Sequence, residues 1–536
     1  MTTEDIPVLI VGGSLVGLST AAFLGWHGVP SLVVERHRGT AIHPRAAVFN
    51  QRAIEHYRVI GLEPAIVDVA RDQFLQDGAI MAVETLAGRE IDWYERNINA
   101  GYEELSATRR VFITQNVLEP LLRTRAEELG ATTRYGAEVV SLDEDDDGVT
   151  AVVRERDGGQ ESTVRAAYVV GADGSRSPTR ERLGLAMRGR GTFSNSLTIY
   201  FRADVAPLLR DRALSVIYVF NERQQGFIRL ERAADAGFLA VMTARDESGQ
   251  RVADVAGDAG EERCRAFVRD ALGDDDLAVE IENIQAWEAS ADVVQRLSRG
   301  RTFLVGDAAH TMPPTGGFGG NTGIHDACNL AWKLGAVLRG VAGERLLDTY
   351  DGERRPVATF TAEQAYTRYV ARLAPDLGTD DLLAFVDDAT VDLGYRYRSP
   401  AILDDGEDDG APTVDPRAQS ALPGTRAPHL RLERDGTEIS PVDLIGRGFL
   451  LLAGADGARW CAAARAAGAR LDVEMTAAAV GREITDPDGR FAEIYATGAD
   501  GAVLVRPDGI VAWRAGAYPD DGEDRVAAAL ARCTCS

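Results

Sequence analysis

The residues most able to do chemistry sit in glycine-rich loops. Gly12-Gly13-Ser14-Leu15-Val16-Gly17 follows the apolar run Pro7–Val11 and leads into an Ala-rich stretch, Leu18–Gly25. A second apolar run, Ser31–Val34, ends in Glu35 and Arg36. Gly12 permits a sharp turn and Gly17 lets helix touch strand. The free N–H groups of a helix start at Leu15 and Val16 suit a pyrophosphate. Glu35 falls 23 residues after Gly12, where such a unit keeps the acid that binds a ribose. Ser14 stands in place of the usual second glycine, so a hydroxymethyl must fit beside the phosphates and can hydrogen-bond to them. Together these residues predict a dinucleotide site; a tight structural turn is the bland alternative.

Two further loops follow apolar runs in the same way. Gly171-Ala172-Asp173-Gly174-Ser175-Arg176-Ser177 comes after Ala167–Val170, and Gly306-Asp307 through Gly323 comes after Thr302–Val305. Short apolar runs ending in glycine read as buried parallel strands. Ligands of such sheets bind at the strands' carboxyl ends, so loops 300 residues apart can build one site. The spacing of Ile324, Ala327, Ala331, Leu334 and Leu338 predicts a helix after the third loop, starting near Gly320, Asn321 and Thr322. The Asp173 loop also reads as a self-capped turn with a solvated Arg176.

From Leu183 to Trp287 the pattern changes to β-branched and aromatic strands, such as Leu197–Phe201 and Ser215–Phe220, which predict an inserted antiparallel sheet. Strand alternation puts Tyr218 and Phe220 on one face. The acidic stretch Asp404–Pro412 is a linker. A third domain follows, with strands at Gly448–Leu452 and Ala502–Val505 and a turn at Arg506-Pro507-Asp508-Gly509.

The chain's 536 residues exceed one core. Its net charge of −25 argues against nucleic acid and anionic membrane as partners. Lys333 is its only lysine. The five cysteines and seven histidines show no disulfide framework and no metal-ligand spacing. No signal peptide or membrane-length apolar run is read, so a cytoplasmic location is expected.

The three loops, with His43-Pro44-Arg45-Ala46 and the Gln115 segment Ile113–Glu119, resemble the single-component FAD-dependent aromatic hydroxylases. The likeness is to the type that tailors aromatic polyketides in bacteria, and it spans nearly the whole chain. The resemblance implies an α/β fold: a Rossmann-type, glutathione-reductase-like FAD domain (1–72, 104–180, 288–398). An α+β substrate domain (73–103, 181–287) is inserted, and a thioredoxin-like C-terminal domain (413–536) follows. That last domain lacks CxxC, since Cys461 has no partner, so a structural or oligomer-interface role is expected.

The resemblance further implies that Asp307 bonds the ribityl hydroxyls. Pro314, Gly319, Gly320, Asn321 and Thr322 approach the isoalloxazine, and the helix start faces its pyrimidine edge. Gly320 departs from the family, which often has Met there. Asp173 lies near flavin and nicotinamide pyrophosphate, Arg45 near the flavin, and Gln115 on the adenosine side. NADPH or NADH would reduce FAD, and O2 would give a C4a-hydroperoxyflavin that hydroxylates a phenolic, multi-ring polyketide. Tyr200, Tyr218, Phe220 and Phe227 are candidate lining residues. Arg368 and Arg372, at i, i+4 spacing, could reach a phenolate, although a salt-bridged surface face is the commoner outcome. His310 and His325 read as structural. The protein is expected to be a monomer or homodimer. A flavin halogenase is disfavoured, since only Ala512-Trp513-Arg514 stands in for a paired-Trp motif. An oxidase, a ring-rearranging enzyme or a non-hydroxylating carrier stays open.

Overall fold

The computed structural model describes residues 3–42, 46–245, 250–252, 254–257, 260–406, 408–418 and 420–536. The three apolar runs are neighbouring strands of one sheet, Thr302–Leu304, Glu161–Gly171 and Thr3–Val11, continued by Ser31–Glu35 and Ala131–Tyr135. All four of these pairings are parallel. Register brings Val11 opposite Gly171, and Gly171 opposite Leu304. Backbone bonds from Ala172 N–H to the Val11 carbonyl (2.8 Å) and from Val305 N–H to the Gly171 carbonyl (3.0 Å) carry the ladder into the loops. Three glycine-rich turns thus leave one edge together. The acid run 143–148 is a hairpin turn between Ala137–Asp145 and Gly148–Glu155.

A second sheet of nine strands holds Met187–Arg202, Leu214–Phe220, Gln224–Leu230, Ala236–Arg245 and Glu280–Val294. Ala79–Val83 and Glu90–Glu95 extend one end, with Ala79–Val83 joining in parallel. At the other end, His310–Thr311 pairs with Asp292 and Val293. That pairing ties the third loop to the inserted sheet and was not legible from the sequence. One sheet face buries Leu197, Ile199, Ile217, Val219, Ile228 and Leu239 against the Glu261–Leu272 helix.

The third domain has strand order Met475–Ala479, Phe449–Ala453, Ala502–Val505, Val511–Ala515, the first pair parallel and the others antiparallel. The Ala458–Leu471 and Gly522–Cys533 helices pack together beside it. This is a thioredoxin-like arrangement. Cys461 is buried in the first of these helices, and burial pushes its thiol up to about 11, so it is no redox thiol.

The 506–509 turn drives charge into the first domain. Arg506 donates to Glu353 at 2.6 and 2.8 Å, Lys333 to Glu353 at 2.8 Å, and Asn329 to both Glu353 and Asp508. Lys333, Glu353 and Arg506 are fully buried. Burial alone would raise the Glu353 carboxyl, but Arg506 and Lys333 outweigh it and hold it well below the usual range. Beside this cluster Arg426 pairs with Glu55, which Ser106 and Arg52 also contact. Removing one partner of such a cluster strands the others in a dry interior. Glu353→Ala is therefore expected to cost about 3–5 kcal/mol of stability, read by urea unfolding.

Candidate functional site

Close approach builds the first loop. Gly12 has φ +109°, and a Cβ there would lie 2.3 Å from the Ala172 carbonyl oxygen. A Cβ on Gly17 would lie 1.9 Å from the Gly12 carbonyl oxygen. No other residue permits this strand, turn and helix to meet. The helix runs from Leu15 to Trp26, with Ser14 extended at its N-cap. Glu35 accepts from Gly13 N–H at 2.7 Å and from His37 N–H at 2.8 Å, so the acid also shapes the turn. Arg36 is exposed.

Glu119, buried and not singled out from the sequence, is the hub of this corner. It accepts from Ser14 Oγ (2.5 Å), Leu15 N–H (2.8 Å), Ala41 N–H (2.6 Å) and Gln115 Nε2 (2.7 Å). Ser14 therefore donates to Glu119, an outcome the glycine-to-serine departure left open. The i, i+4 spacing of Gln115 and Glu119 was the available signal. Gln115 is nearly buried and exchanges bonds with Ala46, its N–H donating to the Ala46 carbonyl at 2.8 Å. Arg45, with His43 and Pro44, lies outside the described residues.

In the second loop Asp173 accepts from Ser177 Oγ and, at 2.9 Å, from Thr179 N–H. Its carboxylate thus caps its own turn, and Arg176 is exposed near Glu288 (3.7 Å). Expected next to phosphates, Asp173 instead serves the loop first, because the following short helix leaves N–H groups that need an acceptor.

In the third loop Gly306, at φ +59°, turns the chain so that Asp307 is exposed between buried Gly306 and Ala308. The following helix spans Phe318–Leu338, two residues earlier than expected, capped by Gly317 at φ +69°. It is buried on every side from Asn321 to Ala336, not along one stripe. Pro314 is exposed, Gly319 and Gly320 are half-buried, and Thr322 is buried, its hydroxyl donating to the Phe318 carbonyl. Around Gly319, among the described residues, only Met312 comes near a notional Cβ, at 3.5 Å. Asn321 Nδ2 donates to the carbonyls of Gly317 (2.7 Å) and Val48 (3.2 Å). His310 and Asp326 bond at 2.6 Å, and Arg354 Nε reaches Asp326 at 2.7 Å, so His310 is structural. His325, buried against His56 and Tyr395, is structural too.

On the second sheet the face away from the Glu261–Leu272 helix carries Tyr200, Phe238, Phe227, Tyr218 and Phe220 in tilted, edge or stacked contact, with centroids 5.9–6.1 Å apart. Tyr369 and Leu373 of the Arg345–Leu373 helix cover one end of this face. The two arginines of that helix diverge. Arg368 is fully buried, donating to Asp388 at 2.8 Å and to Gln364, and lying over Phe318 and Phe385. Its fork is consumed by protein, which removes it as a substrate contact. Arg372 is half-buried, its guanidinium 5.6 and 5.8 Å from the Tyr94 and Tyr218 centroids and 3.4 Å from the Tyr218 hydroxyl. Arg229, also missed, donates to the Ala47 carbonyl at 2.6 Å from between Phe74 and Phe112. Among the described residues its Nε and Nη2 have no hydrogen-bond partner, and burial pulls it down to about 9.

The described residues hold no cluster that could ligate a metal, and no helix among them is long and apolar enough to cross a membrane. The glycine cradle, the helix starts and the outward Asp307 fit an FAD molecule stretched along the sheet edge. Comparison with known proteins agrees. Residues 5–365 match the FAD binding domain family, and residues 420–534 match the aromatic-ring hydroxylase C-terminal family. The chain is 48% identical to a 4-methyl-5-nitrocatechol 5-monooxygenase of a Burkholderia species, over 99% of this chain and 98% of that one. It is 38% identical to the tetracenomycin A2 monooxygenase-dioxygenase of Streptomyces glaucescens, over 99% and 97%. A crystal structure of aklavinone-11 hydroxylase with FAD and aklavinone superposes with TM-score 0.93 at 36% identity, covering both chains fully. The chain therefore belongs to the FAD-binding aromatic-ring hydroxylases, flavin-dependent monooxygenases that act with a reduced nicotinamide and O2.

Gly17→Ala should abolish measurable FAD binding in a fluorescence titration while leaving the fold's circular dichroism in place, because the added methyl occupies the space of the Gly12 carbonyl.

Proposed function

We propose that the chain hydroxylates the phenolate form of a multi-ring aromatic substrate of the polyketide class, with FAD, NADPH or NADH, and O2. The observation that carries this is a half-buried cation set on an aromatic wall: Arg372 between Tyr94 and Tyr218, on the face that also bears Tyr200, Phe220 and Phe227. A flat ring system is held by such a wall through apolar contact. Arg372 favours the ionised phenol and polarises the Tyr218 hydroxyl toward it. The ionised oxygen feeds electron density to the neighbouring ring carbons, which then attack an electrophilic oxygen. FAD, when bound and reduced by the nicotinamide, would activate O2 so that one of its atoms is that oxygen and the other leaves as water.

The chain's own part is to hold, orient and exclude water. Gly12, Val16 and Gly17 take the pyrophosphate, Glu35 the ribose, and Gln115 the adenosine side, whereas the Leu15 N–H, expected at the pyrophosphate, is given to Glu119. Asp307 takes the ribityl hydroxyls. Pro314, Gly319, Gly320, Asn321 and Thr322 line the ring edge, with Arg229 fixing Ala47 behind the adjoining loop. The site asks for no metal, and the chain would work as a monomer or homodimer.

A single-ring substituted catechol is the second reading, favoured by the 48% identity to the methylnitrocatechol enzyme. Comparing kcat/KM for a hydroxylated tetracyclic quinone with that for a nitrocatechol distinguishes the two.

Label from 18O2 should enter the product in step with nicotinamide oxidation; turnover without label would point to an oxidase or ring-rearranging enzyme. Asp307→Ala should weaken FAD binding roughly ten- to a hundredfold, the loss of one charge-assisted hydrogen bond of about 1.5–3 kcal/mol, read by fluorescence titration. Arg372→Gln should lower kcat/KM at neutral pH by about tenfold or more and move its pH midpoint upward, since the phenol then ionises unaided.

A further inference from the structure

A buried carboxylate outside this machinery is wired to it through one asparagine. Asn50 caps the Gln51–Val59 helix, its Oδ1 accepting from Ala53 N–H at 2.9 Å. Its backbone N–H donates to Asn321 Oδ1 at 3.0 Å. Its Nδ2 donates to Asp392 Oδ1 at 2.7 Å. Asn321 in turn holds the first turn of the Phe318–Leu338 helix through Gly317 and the preceding loop through Val48. Asp392 belongs to the short Asp388–Leu393 helix and is 4% exposed.

Charge compensation at Asp392 is thin. Arg110 Nη2 stands 3.4 Å from Asp392 and 4.0 Å from Asp388, and its guanidinium also lies over the Tyr102 ring. Arg368 is committed to Asp388 at 2.8 Å. Glu95 adds a further carboxylate on the far side of Arg110 and faces Arg372 and Asp388 as well. Beyond the end of this helix Arg417 is taken by Asp387 and Asp415. Among the described residues Arg110 alone ion-pairs with Asp392, at 3.4 Å, while also lying 4.0 Å from Asp388.

We propose that Asp392 is a positioning residue for the flavin's pyrimidine edge, its protonation state setting, through Asn50, how firmly Asn321 is held at the head of the helix. Burial pushes the carboxyl up to about 7, Asp388 adding to the rise while Arg110, Asn50 and Arg368 oppose it. Above that value the carboxylate accepts a charge-assisted bond from Asn50, and below it a neutral one of roughly half the strength. The folded chain itself is stabilised in the opposite sense. A raised carboxyl is neutral in the fold but charged in the unfolded chain between about pH 4 and 7, so stability falls as pH rises through that window. An effect on FAD that runs against this trend cannot come from global stability.

The proposal rests on the reading that Asn321 lies at the flavin. The test is fluorescence titration of FAD into apoprotein at about pH 6 and about pH 8. Wild type should bind about fivefold tighter at the higher pH. Asp392→Asn keeps an acceptor for Asn50 and should bring the ratio to about one. Asn50→Ser keeps the helix cap and the backbone bond to Asn321 but loses the donor to Asp392, and should do the same. A pH-independent wild-type constant, or a fivefold ratio that survives in both variants, overturns the proposal alone. Absence of FAD binding at either pH overturns the site reading with it.

Discussion

Asp326 is enclosed, with no exposed side-chain surface, and accepts three hydrogen bonds from three separate segments. Gly306 N–H at 3.1 Å fixes the turn that leaves the third strand, His310 at 2.6 Å fixes the loop beyond it, and Arg354 at 2.7 Å fixes the next long helix. A carboxylate in that position would be costly if any donor were missing. Burial works against its charge, and Arg354 and His310 more than offset it, so the group stays ionised. Because Asp326 lies two turns along the Phe318–Leu338 helix, its bonds set where Asp307 and Asn321 stand relative to Gly12 and Gly17. The two ends of the cradle keep their spacing through this one group.

The far half of the same helix is held by different means. Asn329 and Lys333 enter the cluster of Glu353, Arg506 and Asp508, and Trp332 lies against Phe449 of the third domain. The third domain thus packs against the far half of this helix. The opposite wall is built of aromatic side chains with few anchors, which suits a large apolar ring. On that wall Arg372 is a half-buried cation beside Tyr94 and Tyr218, while its neighbour Arg368 is consumed in holding Phe318 and Asp388.

Much of this was legible in the residues. Glycines at 12 and 17 announce backbone too close for a side chain, and apolar runs ending in glycine announce the central sheet. Alternation put Tyr218 and Phe220 on one face, as found. What escaped was long-range pairing of polar groups. Glu119, Asp392 and Arg229 have partners 78 to 342 residues away and Asp326 has partners 16 to 28 residues away, and no periodicity encodes such contacts. The helix at Phe318 read as one-sided because only the spacing of its apolar residues was used, and its polar residues Asn321, Asp326, Asn329 and Lys333 lie inside as well. They are buried, each paired inside. For Asp173 and Arg368 the alternatives read from the sequence, a self-capped turn and a salt-bridged arginine, match the bonds found.

Hydrogen–deuterium exchange with and without FAD addresses the convergence of distant loops most directly. Adding FAD should slow exchange together in segments 12–19, 46–51, 113–118 and 306–323, while the 498–515 hairpin of the third domain stays unchanged. Protection confined to the first of these segments, or appearing in the hairpin instead, would contradict a single cradle assembled from all four.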